Sequence, residues 1–168
     1  MTHFSRRLPD PVPMQQGLLA WTRAQGPAMR HEMACGVDFT DPHATIDLLM
    51  ALQWFTRQDA CCRATALLLL ARMALAGLHQ NGPAHLAPDA ARMMCQHLHR
   101  RLSEGRFPDA HYLLTLSQRD LVETLFGPGG PMPLPDAVRA SGTALPHPPY
   151  AFVGWRPVMA LPALTLAA

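Results

Sequence analysis

Proline and glycine divide this 168-residue chain into segments of helical length. Proline fits the first turn of a helix, and a neighbouring aspartate can cap it. Such pairs stand at Asp41–Pro42, Pro88–Asp89 and Pro108–Asp109. Glycine commonly follows the last turn of a helix, and Gly77 and Gly105 each follow an apolar run. The pattern predicts an all-α fold of antiparallel helical hairpins.

The apolar spacing between these signals predicts where the helices run. From 42 to about 57, apolar residues recur at helical spacing, and Asp59 can cap a second helix over 60–76. Because the link between these two helices is short, we expect them to form an αα-hairpin. Further helices are expected over 13–25 with a short continuation to 36, from 88 to Gly105, from Pro108 onwards, and from a Ser117–Asp120 capping box to Phe126.

The composition changes at Gly127. Residues 127–168 hold nine of the seventeen prolines but only three charged side chains, so regular helix is largely excluded there. We therefore predict a loose segment over 1–12, a helical domain over 13–126, and a proline-rich, apolar, extended tail over 127–168. The tail either packs on its own helices, which we favour, or docks into a partner. Its candidate contact residues are Tyr150, Phe152 and Trp155.

Composition restricts the class of protein. A formal net charge of +2 is too small for a nucleic-acid footprint. The most apolar stretch, Ala64–Ala76, includes Arg72 and is shorter than the ~20 residues of a membrane span. The four cysteines show no disulfide framework or CxxC pair. No apolar leader precedes Leu8. We expect a cytoplasmic protein with no membrane insertion and no nucleic-acid partner.

Motifs for catalysis and cofactors are missing from the sequence. It contains no nucleophile elbow, phosphate loop or dinucleotide fingerprint, and its acids stand mostly at predicted helix starts. Cys95 and His99 share a helix face and would need two more ligands from His79, His85 or His111 to bind zinc. We predict neither an enzyme nor a cofactor, and no metal site.

The segment GRFPDAHYLLTL resembles the second half of a tetratricopeptide repeat. Gly105, Phe107, Ala110 and Leu114 stand at the family's spacing, and a fainter echo upstream extends the resemblance to residues 41–120. In that echo the packing positions would be Ala64, Leu68 and Ala71. Among bacterial proteins the chain is similar to the tetratricopeptide-type chaperones of type III secretion. This resemblance implies a cytosolic helical protein that holds a needle, translocator or export-apparatus component before secretion.

A binding role also follows from the predicted architecture, because a short stack of helical hairpins leaves a large face uncovered. We predict a non-catalytic adaptor or chaperone whose partner-binding residues include Met50, Gln53, Trp54 and Met94, flexible or large apolar contacts among them. For Trp54 we slightly favour burial in the core over a role in the interface, and a homo-oligomer is left open. Two other functions compete: a DNA-binding regulator with a helix-turn-helix-like segment at 114–127, and a structural subunit of a larger assembly.

Overall fold

The computed structural model describes residues 17–42, 44–108, 112 and 114–140. These residues contain seven α-helices, one 3-10 turn at Ala84–Leu86 and no strand. The helices are α1 (Gly17–Ala24), α2 (Pro27–Gly36), α3 (Ile46–Phe55), α4 (Arg63–Leu75), α5 (Pro88–Ser103), α6 (Leu116–Phe126) and α7 (Asp136–Arg139). The predicted all-α class is confirmed.

The helices stack in two alternating series. In the odd layer α1 packs on α3, and α3 packs on α5. In the even layer α2 packs on α4, and α4 packs on α6. The layers are joined where α4 packs on α5, as successive helices of a helical hairpin do.

Helices α3 and α4 follow one another in alternate layers, and this packing is consistent with the predicted helical hairpins. The main contacts of α3 are with α1 and α5, whereas those of α4 are with α2, α5 and α6. The link between them turns at the surface, where Arg57 and Asp59 are exposed, and then enters the core at Cys61 and Cys62, which are fully buried.

Helix α4 is the centre of the core. Its residues from Thr65 to Ala71 are all buried, because three other helices pack around it. The longest helix in the described part of the chain, α5, has 16 residues. No helix in that part is long and apolar enough to cross a membrane.

Both predicted helix-ending glycines are confirmed. Gly77 and Gly105 have φ angles of +72° and +65°, in the left-handed region that other residues rarely adopt. The N–H of the residue after each glycine donates to the carbonyl five residues earlier, as in a Schellman motif. Leu78 N donates to Met73 O at 3.0 Å, and Arg106 N donates to Arg101 O at 2.9 Å.

Two predicted helix starts are displaced along the chain. Helix α3 begins at Ile46, because the chain first makes a turn in which Ala44 N donates to Asp41 O at 2.9 Å. Helix α4 begins at Arg63 instead of residue 60, since the buried link precedes it. By contrast, α5 begins at Pro88, as predicted.

The segment after Gly105 does not begin a helix at Pro108. Pro108, Tyr112 and Leu114 lie outside any helix, and residues 109–111 and 113 are not described. Helix α6 instead begins at Leu116, capped by Thr115. The Pro108 carbonyl accepts a hydrogen bond from Arg63 N at 2.9 Å. This bond satisfies the first backbone N–H of α4, which has no partner within the helix. The predicted helical corner is therefore wrong.

The first part of the predicted tail packs on the helices. Leu134 and Val138 are buried in the core, and Leu134 N donates to Phe126 O at 2.8 Å. The buried guanidinium of Arg139 pairs with Glu123 and Asp136. One helical turn, α7, forms here after Pro135, where the prolines were expected to exclude regular helix. The other predicted features of the termini lie outside the described residues: the loose segment 1–12, the start of the first helix, Tyr150, Phe152 and Trp155.

Candidate partner-binding groove

A groove of about 570 Å³ lies between α3 and α5, two neighbours in the odd layer. It lies on the outer faces of the two helices, because their opposite faces, with Leu48, Leu52, Cys95 and Leu98, are buried in the core. It is lined by Ile46, Leu49, Met50, Gln53 and Arg57 from α3 and the turn after it, and by Ala90, Met93, Met94, Gln96, His97 and Arg100 from α5. We call this the α3–α5 groove.

One part of the α3–α5 groove is apolar and open to solvent. Ile46, Met50 and Met93 are 48%, 49% and 67% exposed, although side chains of their kind are usually buried. Leu49 and Met94 lie beneath them, almost fully buried, and form the floor. Three of the five large apolar side chains that are exposed in the described residues thus gather in one groove.

The other part of the groove is cationic. The guanidinium of Arg101 donates to the carbonyl of Thr56, which ties the end of α5 to the end of α3. Arg57 and Arg100 therefore lie at the same end of the groove. Arg100 also donates to His97 Nδ1 at 3.2 Å, so the neutral ring carries its proton on Nε2. His97 Nε2 is buried and has no hydrogen-bond partner among the described residues.

The pKa of His97 is lowered from its ordinary value. Burial contributes most, and the cations of Arg57, Arg100 and Arg101 add to it, while the carboxylate of Glu104 acts in the opposite direction. A neutral imidazole is consistent with its role as acceptor from Arg100.

The predicted partner-binding residues of the helices do not all lie at one site. Met50, Gln53 and Met94 line the α3–α5 groove, whereas Trp54 does not. Trp54 is partly buried against the core, and the guanidinium of Arg30 lies 4.8 Å from its ring centre. Arg23 lies over the same ring at 5.7 Å. This tryptophan therefore faces the arginines of α1 and α2, and the groove does not reach it.

Sequence reasoning missed the cationic end of the groove. Gln53 and Arg57 continue the helical stripe of Ile46 and Met50 at intervals of three or four residues. That spacing was the available signal. It is weak alone, because charged residues at such positions are usually solvated on a helix surface.

A second polar cluster lies buried between α2 and α4. His31 Nδ1 lies 2.5 Å from Thr65 Oγ1, and Cys62 Sγ lies 3.2 Å from the same hydroxyl. The ring of Tyr112 stacks on His31 with 3.6 Å between centres. Cys35 Sγ lies within 3.8 Å of the His31 ring. These groups satisfy one another inside the core, so the cluster is a structural link between the two helices.

The described residues considered as zinc ligands do not form a metal site. His99 Nε2 lies 3.0 Å from the carbonyl oxygen of Pro133, to which it can donate a hydrogen bond. Burial raises the pKa of the Cys95 thiol to about 12, whereas a zinc ligand must be a thiolate. In the described part of the chain no group of three or more His, Cys, Asp or Glu side chains is placed to hold a metal ion. His111 lies outside that part.

Comparison with known proteins gave no match to any protein-family model, any curated protein or any solved structure.

Proposed function

We propose that this chain is a non-catalytic adaptor or chaperone that holds a partner protein in the α3–α5 groove. The observation that carries the proposal is the gathering of exposed Ile46, Met50 and Met93 over a buried apolar floor. Solvent-exposed apolar patches of this kind mark sites that a ligand or a protein covers. Methionine adapts its shape to an irregular partner surface, and two of the three exposed side chains, Met50 and Met93, are methionines.

The layered stack supports the same function. A short series of helical pairs leaves a face uncovered, and the groove lies on the outer side of the odd layer. The chaperone form of the proposal, with a component of a secretion system as its partner in the cytoplasm, is supported only by the sequence resemblance around Gly105.

The helix-turn-helix alternative has less support. Helix α6 covers most of the segment 114–127, but the next helix in the described residues is α7, which has four residues. A recognition helix must be long enough to lie in the major groove of DNA. We therefore favour a protein partner.

The test is to compare two variants of the full chain as bait in the cell that makes the protein. Met50→Glu places a charge in the groove, and Leu116→Glu places the same charge at a residue that is 79% exposed outside the groove. We expect the first to lose at least one stoichiometric partner that both the parent chain and the second retain. Equal capture by both variants, with circular dichroism unchanged, would contradict a partner-binding role of the groove.

A further inference from the structure

The two ends of the α3–α5 groove differ in chemistry, and this difference restricts what can occupy it. Arg57 and Arg100 lie at one end, where Arg100 donates to Nδ1 of His97. No aspartate or glutamate is among the described residues that line the groove. Glu104 acts on His97 from outside the lining, so cations outnumber carboxylates at this end of the groove.

Arg57 and Arg100 belong to the arginines of the described chain that no neighbouring carboxylate neutralises. Arg92, Arg106 and Arg139 each form an ion pair with a nearby carboxylate. Arg57 and Arg100 form no ion pair with a described residue, and Arg100 only donates to His97. Guanidinium groups bind carboxylates through two parallel hydrogen bonds, which are stronger than neutral ones. The cationic end is thus suited to a carboxylate supplied from outside.

The shape of the groove fits a helix. Its walls run along α5 from Ala90 to Arg100, a length of about 15 Å at the helical rise. Two or three turns of a bound helix match that length, and such a helix presents anchor side chains at intervals of three or four residues. Apolar anchors would lie on Met50, Met93 and Met94.

We infer that the groove takes an amphipathic helix of the partner whose apolar stripe ends in an aspartate or glutamate, with that carboxylate held by Arg57 and Arg100. This inference rests on the proposed function and names the chemistry of its partner. The chain's own residues 141–168 do not have this chemistry, because their one charged side chain is Arg156. Charge complementarity therefore favours a separate acidic helix over the tail.

The experiment selects binders from a phage-displayed library of eighteen-residue helices. Leucines are fixed at the anchor positions, and the position after the last leucine is randomised. We expect the helices that bind the full chain to be enriched in Asp or Glu at that position. The selected helix should bind the double variant Arg57→Glu with Arg100→Glu at least tenfold more weakly. A matched control, Arg72→Glu with Arg119→Glu, changes two exposed arginines outside the groove by the same charge and should bind within twofold of the parent.

Each outcome decides between the two proposals. The inference is overturned if the selected helices show no enrichment in Asp or Glu, or if both double variants weaken helix binding equally. In either case, a loss of binding in Met50→Glu would still support the groove as the binding site. Selected helices that are insensitive to Met50→Glu, or no selected helix at all, would contradict the proposed function as well. A dimer of the full chain that Met50→Glu dissociates would assign the groove to a second copy instead. If charge reversal unfolds the chain, Arg57→Gln with Arg100→Gln replaces it.

Discussion

At the scale of single residues, His97 connects stability to the groove. It accepts a hydrogen bond from Arg100, and its ring is surrounded by three arginines and one carboxylate. A protonated ring would lose that acceptor and would add a positive charge to the existing ones. The folded chain therefore favours the neutral form.

The first prediction is that stability falls as the pH decreases below about 6.5, the ordinary pKa of histidine. Because the pKa of His97 is lower in the folded chain, the unfolded chain binds the proton more readily. The contribution of His97 is thus present above the unfolded pKa and is lost as the pH falls through the folded pKa. His97→Asn should show a smaller loss of unfolding free energy between pH 7.5 and pH 5.

Urea denaturation at the two pH values measures this effect. His85→Asn, a change of an exposed histidine outside the groove, is the matched control. A parental pH dependence in His97→Asn would show that this histidine does not titrate differently in the folded and unfolded chains.

At the scale of helices, the N-terminal cap of α6 differs from the one predicted. We predicted a capping box at Ser117 and Asp120, whereas the structure forms it two residues earlier, at Thr115 and Gln118. In the structure Thr115 Oγ1 accepts from Gln118 N at 3.3 Å, and Gln118 Oε1 accepts from Thr115 N at 2.8 Å. Val122, Leu125 and Phe126 of this helix are buried in the core.

The second prediction uses these two candidates. Thr115→Ala removes the cap and should cost about 1 kcal/mol of unfolding free energy. Ser117→Ala changes a residue inside the helix and should cost less than half of that, since its hydroxyl bonds only to Thr115. Chemical denaturation of both variants gives the comparison. A larger loss of unfolding free energy in Ser117→Ala than in Thr115→Ala would support Ser117 as the cap instead.

How far the elements could be predicted depends on how local their causes are. Gly77 and Gly105 end helices through backbone geometry that glycine itself favours, and both were predicted correctly. The start of α4 depends on the burial of Cys61 and Cys62, a long-range effect, and it was placed three residues early. Met50 and Met94, which line the groove, were chosen as partner contacts because methionine is a flexible apolar side chain on a predicted helix. The clustering of Arg57 with Arg100 was not predicted, because it requires two distant segments to pack side by side.

At the scale of the whole molecule, the packed body continues beyond α6 to Ala140. Leu134 and Val138 join the core, and Arg63 donates to the carbonyl of Ala137 at 2.9 Å. Within the described residues, the composition change at Gly127 marked the end of the long helices. It did not mark the end of the packed chain.

The third prediction concerns this packed extension. A chain ending at residue 126 should melt at least ten degrees below one ending at residue 140. The shorter chain loses two buried apolar side chains, each worth about 1.5–3 kcal/mol. It also exposes the surfaces that they cover. Differential scanning calorimetry compares the two truncated chains, with the longer one as the matched control. Equal melting temperatures would contradict a structural role for residues 127–140.

The occupation of the α3–α5 groove is tested most directly by site-specific photo-crosslinking in the cell that makes the protein. A photoreactive phenylalanine analogue at Met93, in the groove, is compared with the same analogue at Leu116, outside it. We expect a discrete protein adduct from position 93 that is absent from position 116, and that disappears when Met50→Glu is added to the same chain. Identical adducts from both positions, or an adduct at 93 that persists with Met50→Glu, would contradict the groove as the partner-binding site.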